Sequence, residues 1–181
     1  MIDDAGAGGA AVLVRRVVAA DLDAYKALRD EMLAAYPEAF TSDAATERAR
    51  TALSYLPRLG LDAPQGGQFV LGAWNRDGML VGALGSDRDL RLKVCHSAQL
   101  IGMMVRPEVR RTGIAARLLH DCIALLRATG GIEMLTLTVT HGNVPAIQLY
   151  ERAGFVRCGS LPRAIRVGDR YHAKEQMFLT L

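Results

Sequence analysis

Arg110, Arg111, Thr112, Gly113, Ile114 and Ala115 bring two guanidinium groups and two small residues together at the start of a long apolar-periodic segment. A β-rich run ends just ahead of them at Pro107, so they occupy a strand-to-helix junction. The first backbone N–H groups of a helix have no intrahelical acceptor. Aligned peptide dipoles place about half a positive charge there, and small residues let a diphosphate approach without a clashing Cβ. Gly113 and Ala115 supply the small positions, and Arg110 and Arg111 supply charge. On composition alone a solvated turn is the plainer alternative; position between strand and helix favours the anion site. No G-x-x-x-x-G-K-[ST] run occurs, which argues against a nucleoside-triphosphatase.

The cysteines do not extend this chemistry. Cys95, Cys122 and Cys158 are odd in number, widely spaced and form no C-x-x-C pair, against a disulfide framework or structural zinc. No metal site is expected, and a reducing cytoplasm is the expected compartment. Cys122 falls on an apolar helical stripe, where a buried, inert thiol is the common outcome.

The elements that hold the junction follow from periodicity. Val12 to Val18 is β-branched and precedes an amphipathic helix with apolar positions at Leu22, Tyr25, Leu28, Met32 and Leu33, closed by Pro37 and Phe40. Ser42 or Asp43 can cap a second helix from about Ala44 to Leu56, and Arg58 to Gln68 is a loop. Phe69 to Trp74 and Met79 to Leu84 flank Asn75 to Gly78 as a hairpin. After the charged connection Asp87 to Arg91, Ala98 to Val105 is a strand, and a helix runs from Gly113 to Gly130. Met134 to Val139 alternates as a strand, Asn143 to Ala153 is a helix, Phe155 to Cys158 a short strand and Tyr171 to Thr180 the last one. Strand, helix and strand from Ala98 to Val139 form a right-handed parallel crossover inside a mixed sheet.

Two blocks within this order resemble the GCN5-related N-acetyltransferase (GNAT) family. The run from Gly102 to Ala115 is similar to its acetyl-CoA signature, Gln or Arg, two residues, Gly, one residue, Gly or Ala, matched here by Arg110, Gly113 and Ala115. The run Asn143 to Phe155 resembles the family's later motif of Asn, Ala, Leu-Tyr and Gly-Phe. Thr112 stands where glycine or lysine is common, and Ala115 is the less common permitted residue; neither breaks the loop. The element order matches from Val12 to Leu181. The resemblance implies an α/β (α+β) GNAT fold: a mixed, mostly antiparallel sheet of about six or seven strands flanked by about four helices, splayed at the acetyl-CoA site. One such domain over residues 11–181 would follow a disordered tail, 1–10.

By the same resemblance, Met103, Met104 and Val105 line the pantetheine arm, with the main chain of Met103 and Val105 bonding its amides. Arg110, Arg111, Thr112, Gly113, Ile114, Ala115 and Ala116 hold the pyrophosphate, and Asn143 reaches the same co-substrate. Asn143 is also explained as a plain helix cap, and both roles can coexist. The implied reaction is direct acetyl transfer to a primary amine of a small molecule or peptide, without an acyl-enzyme. A free backbone N–H near Val105 would meet charge growing on the acyl oxygen. Tyr150 is the expected general acid, because a phenol of pKa about 10 lies close to a thiol of about 8.5. An alkyl ammonium must lose a proton, at a cost of about 4 kcal/mol at pH 7. His96, Glu133 and His141 are the candidate bases, with His96 placed first. The acceptor pocket is expected around Tyr36 to Phe40, where Glu38 could attract a cation, and along Leu161 to Tyr171.

Composition bounds the alternatives. The chain has 181 residues, 50% hydrophobic and 23% charged, the balance of one domain with a sizeable core. Its formal net charge of +3 is too small for wholesale binding to a nucleic-acid backbone, and Arg15 and Arg16 interrupt the early apolar run before it could span a membrane. Neither nucleic acid nor membrane is an expected partner; a homodimer through an edge strand is compatible with the fold. The runner-up is a noncatalytic acyl-CoA-binding sensor, which would keep Arg110 to Ala115 but would not need Tyr150. Thiol release across an amine panel separates the two.

Overall fold

The structure, a computed structural model, describes residues 12–62 and 66–181; the expected tail 1–10 and the middle of the 58–68 loop lie outside them. Seven strands form one sheet in the order β1-β2-β3-β4-β5-β7-β6. They are β1 (Leu13–Arg16), β2 (Phe69–Trp74), β3 (Leu80–Arg88), β4 (Ser97–Val105), β5 (Met134–Thr140), β6 (Val156–Val167) and β7 (Arg170–Thr180). All neighbours are antiparallel except β4 and β5. Helices α1 (Leu22–Ala35), α2 (Ala44–Ala49), α3 (Ile114–Thr129) and α4 (Val144–Arg152) cover the sheet, with short 3-10 turns between elements. The mixed sheet agrees with the sequence expectation.

Each face of the sheet has its own apolar cluster. Leu118, Leu119, Cys122 and Leu126 of α3 and Ile147 and Tyr150 of α4 pack on Leu71, Leu135, Leu137 and Met177 on one side. Tyr25, Leu28 and Met32 of α1 join Tyr55, Leu59, Val70 and Met104 on the other. The i, i+3, i+4 spacing in each helix supplies one apolar stripe per face. Strands β2 and β3, sandwiched between the two clusters, are buried along almost their whole length, which is why they read as continuous apolar runs.

Two segments depart from the sequence expectation. Helix α2 ends at Ala49, Arg50 is extended, and a 3-10 run from Ala52 to Leu59 carries Pro57. The break turns Tyr55 back so that its hydroxyl donates to Glu47, which also accepts from Arg29 Nε at 2.7 Å. This buried polar contact overrides helix continuation. The expected loop from Leu161 to Tyr171 is instead the far part of the β6–β7 hairpin, closed by Gly168 and Asp169. Strand β6 is exposed along most of its length and carries Pro162, which is tolerated because β6 is a sheet edge.

Candidate active site

The parallel β4–β5 ladder is short. It pairs Ser97 with Met134, Ala98 with Leu135 and Gln99 with Thr136, and then the strands part. Beyond Gln99, β4 keeps its ladder to β3 as far as Val105, but its other edge has no strand partner. Its pairing to β3 slips where Gly102 and Met103 stand against Leu84, a bulge that Gly102 permits at φ +61°. Beyond Gln99 and Thr136 no register is held, and the remainder of β4 up to Val105 faces the remainder of β5 up to Thr140 across the opening. Met104 packs toward α1, whereas Met103 and Val105 pack toward α3. The main chain of β4 thus borders a gap between the parted strands.

The junction after Pro107 stands at the mouth of that gap. Gly113 adopts φ +86° and Arg111 φ +62°, which turns successive peptide N–H groups toward one side. Arg117 N bonds Gly113 O at 2.9 Å as the first intrahelical contact. From Arg111 to Ala116 no backbone N–H has an acceptor among the described residues. Arg111, Thr112, Gly113, Ile114, Ala115 and Ala116 are therefore one continuous donor loop at the positive end of a helix of 16 residues, whereas the Arg110 N–H just before it is spent on Pro107 O at 3.2 Å. A Cβ on Gly113 would meet nothing within 4 Å, so glycine is required there by conformation and not by space. Gly113→Ala is expected to cost about 1 kcal/mol of stability through the left-handed φ alone. Thermal melts of the two proteins check this.

Arg110 folds back over the loop. Its guanidinium lies 4.4 Å from the Tyr36 ring centroid and its Nε donates to Val105 O at 3.3 Å. It ties the donor loop to the C-terminal end of α1. Arg106 pairs with Glu31 in the same region and donates through Nε to Leu80 O at 3.2 Å.

Helix α4 starts beyond the end of β5. Asn143 caps it, its side-chain oxygen accepting from Ala146 N at 3.3 Å. The cap uses the amide oxygen, which leaves the NH₂ group available. Tyr150 lies two turns further on, buried among the α3–α4 cluster with Phe155 edge-on at 5.9 Å between ring centroids. Burial pushes its phenol up to about 12, so the hydroxyl stays protonated through the neutral range. No residue among those described takes a hydrogen bond from it.

The three candidate bases separate. His96 precedes β4, and its carbonyl accepts from Glu133 N and Met134 N at 2.7 and 3.2 Å. It is exposed at the closed end of the parallel ladder, some nine residues or about 30 Å of extended strand from Val105. The structure does not bring His96 to the opening, nor Glu133. Sequence order places both beside the strands but cannot say at which end the ladder opens. His141 follows β5 at the open end, where its Nδ1 lies 2.6 Å from Glu175 Oε1 on β7. Glu175 also accepts from Ser160 Oγ at 3.2 Å. The His141 contact first, and then the Ser160 contact, hold its carboxyl below the usual range. With Nδ1–H donated to a carboxylate, the neutral imidazole presents Nε2 as the basic atom. Periodicity had no means of pairing His141 with Glu175, which are 34 residues apart in sequence.

Cys122 is fully buried and burial pushes its thiol up to about 12, so it offers no nucleophile.

Comparison with known proteins agrees with this fold. The family model described as Acetyltransferase (GNAT) family matches residues 25–155. A GNAT-family acetyltransferase from Streptococcus pneumoniae shares 24% identity and superposes with a TM-score of 0.83, over 94% of this chain and 99% of that one. A ribosomal-protein-alanine N-acetyltransferase from Brucella melitensis shares 24% identity over 93% of this chain and 99% of that one, with a TM-score of 0.76. The structure of yncA from Salmonella typhimurium with its cofactor acetyl-CoA shares 18% identity over 94% of each chain, with a TM-score of 0.79. No curated protein sequence matched. Since the family model spans both the donor loop and the α4 motif that the opened sheet presents, this chain belongs to the GNAT acetyltransferase family.

Proposed function

We propose that the protein transfers an acetyl group from acetyl-CoA directly to a primary amine. One observation carries this reading: the uninterrupted row of free N–H groups from Arg111 to Ala116, set at the mouth of the β4–β5 opening. Those groups suit a pyrophosphate, and the free edge of β4 at Met103 and Val105 suits the amides of an extended pantetheine arm. Met104 and Ile114 serve by packing, since both side chains are buried. Asn143 can offer its free NH₂ group from the α4 cap. When bound, the co-substrate supplies an activated acyl thioester, and the chain need only position an amine and manage protons and charge.

Two proton movements are required. Tyr150, held protonated by burial, gives its proton to the departing sulfur. The acceptor ammonium loses its proton at the open end, where we assign His141 the role that sequence order gave His96. Glu175 orients the ring, and its carboxylate stabilises the imidazolium that forms. His141→Ala is expected to lower kcat/KM at least tenfold at pH 7, whereas His96→Ala leaves it within twofold; steady-state rates with one good acceptor check both. Equal losses would remove the assignment.

The reaction itself is tested by free-thiol release from acetyl-CoA across a panel of amines, with product masses read by mass spectrometry. Turnover with a mass gain of one acetyl group on the acceptor supports the transferase. Tight coenzyme A binding without thiol release for any amine favours the noncatalytic sensor.

The described residues contain no helix long and apolar enough to cross a membrane. The expectation of a cytoplasmic protein belongs to this reading and rests on the unpaired cysteines.

A further inference from the structure

Lys174 is a buried cation whose charge neither the fold nor the transfer chemistry above accounts for. It lies on β7 directly opposite Thr140, the last residue of β5, and is 7% exposed. Among the described residues its one hydrogen bond is donated by Nζ to Ala39 O at 3.0 Å. A lysine ammonium has three donors, so two N–H bonds are left over. Among the described residues no carboxylate pairs with it. Burial disfavours its charged form, with no neighbouring charge to offset the effect. Keeping an ammonium in such a place is costly unless something anionic completes it.

Its location says what that partner would be. Cross-strand neighbours share a face of the sheet, and Thr140 Oγ1 donates to Glu38 O at 2.7 Å, so Thr140 and Lys174 both point to the α1 side. Together they fasten the Pro37–Ala39 turn across the end of β5 and β7. Tyr150 and Glu175 project to the other face with the α3–α4 side. Thr140 ends β5 where β4 and β5 have parted, which puts Lys174, paired with it, beside the gap on the face opposite the α3 donor loop. A second cation flanks the gap from the β4 side. Arg29 is 4% exposed, donates through Nη2 to Ser42 Oγ at 2.9 Å, and its Nη1 would lie 3.8 Å from a Cβ on Gly102. Glu47 balances the Arg29 charge, whereas no described carboxylate balances Lys174. The short segment from Ala39 to Ser42 thus bridges two buried cations over the acceptor side of the opening.

We propose that Lys174 binds the carboxylate of the acceptor, so that the protein acts on amines that themselves carry a carboxylate, such as free amino acids. The proposal rests on the acetyl-transfer reading of the opening. A zwitterionic acceptor places its carboxylate on Nζ and its amine toward the gap. A simple alkylamine would instead set a second cation against an uncompensated one. Glu38, the carboxylate expected from the sequence to draw a cationic acceptor, contributes its backbone carbonyl to Thr140.

The test uses the full chain and does not require turnover. Calorimetry first measures acetyl-CoA binding, and absence of binding there overturns the acetyl-transfer reading alone. α- and ω-Amino acids, each matched with its carboxamide, are then titrated into the protein, with coenzyme A present if it binds. The expected result is at least one acid that binds tenfold or more tightly than its carboxamide, a ratio that falls to within twofold in Lys174→Met. Methionine keeps the length and removes the charge but also withdraws the donor from Ala39 O, so a melt accompanies each titration and Lys174→Gln, which keeps a donor without the charge, repeats the comparison; the ratio should fall to within twofold in both variants. Acid and carboxamide binding equally throughout, no acid binding at all, or a tenfold preference that survives Lys174→Met would each overturn the carboxylate assignment. None of those results bears on the acetyl-CoA arm.

Discussion

Tyr150→Phe is expected to lower kcat about 100-fold or more while leaving acetyl-CoA affinity within twofold. The side chain is almost wholly buried, and Phe retains every ring contact with the α3–α4 cluster and with Phe155. Stability should therefore be unaltered, and only the hydroxyl proton is lost. A free thiol has a pKa of about 8.5, well below the phenol that burial pushes up to about 12. The same desolvation acts on a thiolate brought into contact with Tyr150 and raises its basicity, which narrows the gap. Since the phenol ionises only near the alkaline end, no loss of kcat from Tyr150 is expected as pH rises from 7 to 10. Stopped-time thiol assays over that range, on both proteins, check the claim. Equal turnover by Tyr150→Phe would take the residue out of the mechanism.

Glu47→Ala is expected to cost about 3 to 5 kcal/mol, the largest effect on stability of any single change considered. The carboxylate is 4% exposed and accepts from Arg29 Nε and from the Tyr55 hydroxyl. Removing it leaves the Arg29 guanidinium buried without its counter-ion. For a domain of this size the loss corresponds to a fall in Tm of about 6 to 20 °C. Burial by itself would push the Glu47 carboxyl up, but the hydrogen bonds from Arg29 and Tyr55 outweigh it and bring it down to about 2. A group whose folded pKa is depressed stabilises above its unfolded value, here 4.5, and loses that contribution as pH falls toward 2. The difference in Tm between wild type and Glu47→Ala should accordingly be full at pH 6 and shrink progressively between pH 4.5 and 2.5. A gap that did not change with pH would assign the stability to packing instead.

How far the sequence carries this account depends on the kind of force involved. The donor loop was legible because its signal is local: Pro107 ends a strand, Gly113 permits a left-handed φ, and the apolar stripe of α3 begins at Ile114. The crossover from β4 to β5 followed from the same change of period. Long-range electrostatics were not legible. Nothing in the pattern joined Arg29 to Glu47 and Tyr55, or His141 to Glu175, and those contacts fix the α2 break and the orientation of His141. The two ends of β4 also look alike in sequence, so periodicity alone cannot tell that His96 lies at the paired end of the ladder and not at the open one. Strand β6 escaped for a third reason. Gly159, Pro162 and Arg163 break its alternation, and the strand is made by pairing with β7 and not by its own residues. Lys174 lies in a strand legible from the sequence, yet alternation gives only its face; that Ala39 O and no carboxylate is its partner among the described residues is a matter of tertiary contact.

The central claim is that the peptide N–H groups after Pro107 grip the diphosphate of coenzyme A. Amide ¹H–¹⁵N spectra recorded during titration with acetyl-CoA report on those groups individually. The account predicts saturable downfield shifts of Arg111 to Ala116, larger than for amides elsewhere in α3, and loss of the same shifts when dephosphorylated pantetheine replaces acetyl-CoA. Saturable binding that leaves the Arg111 to Ala116 amides in place would contradict it.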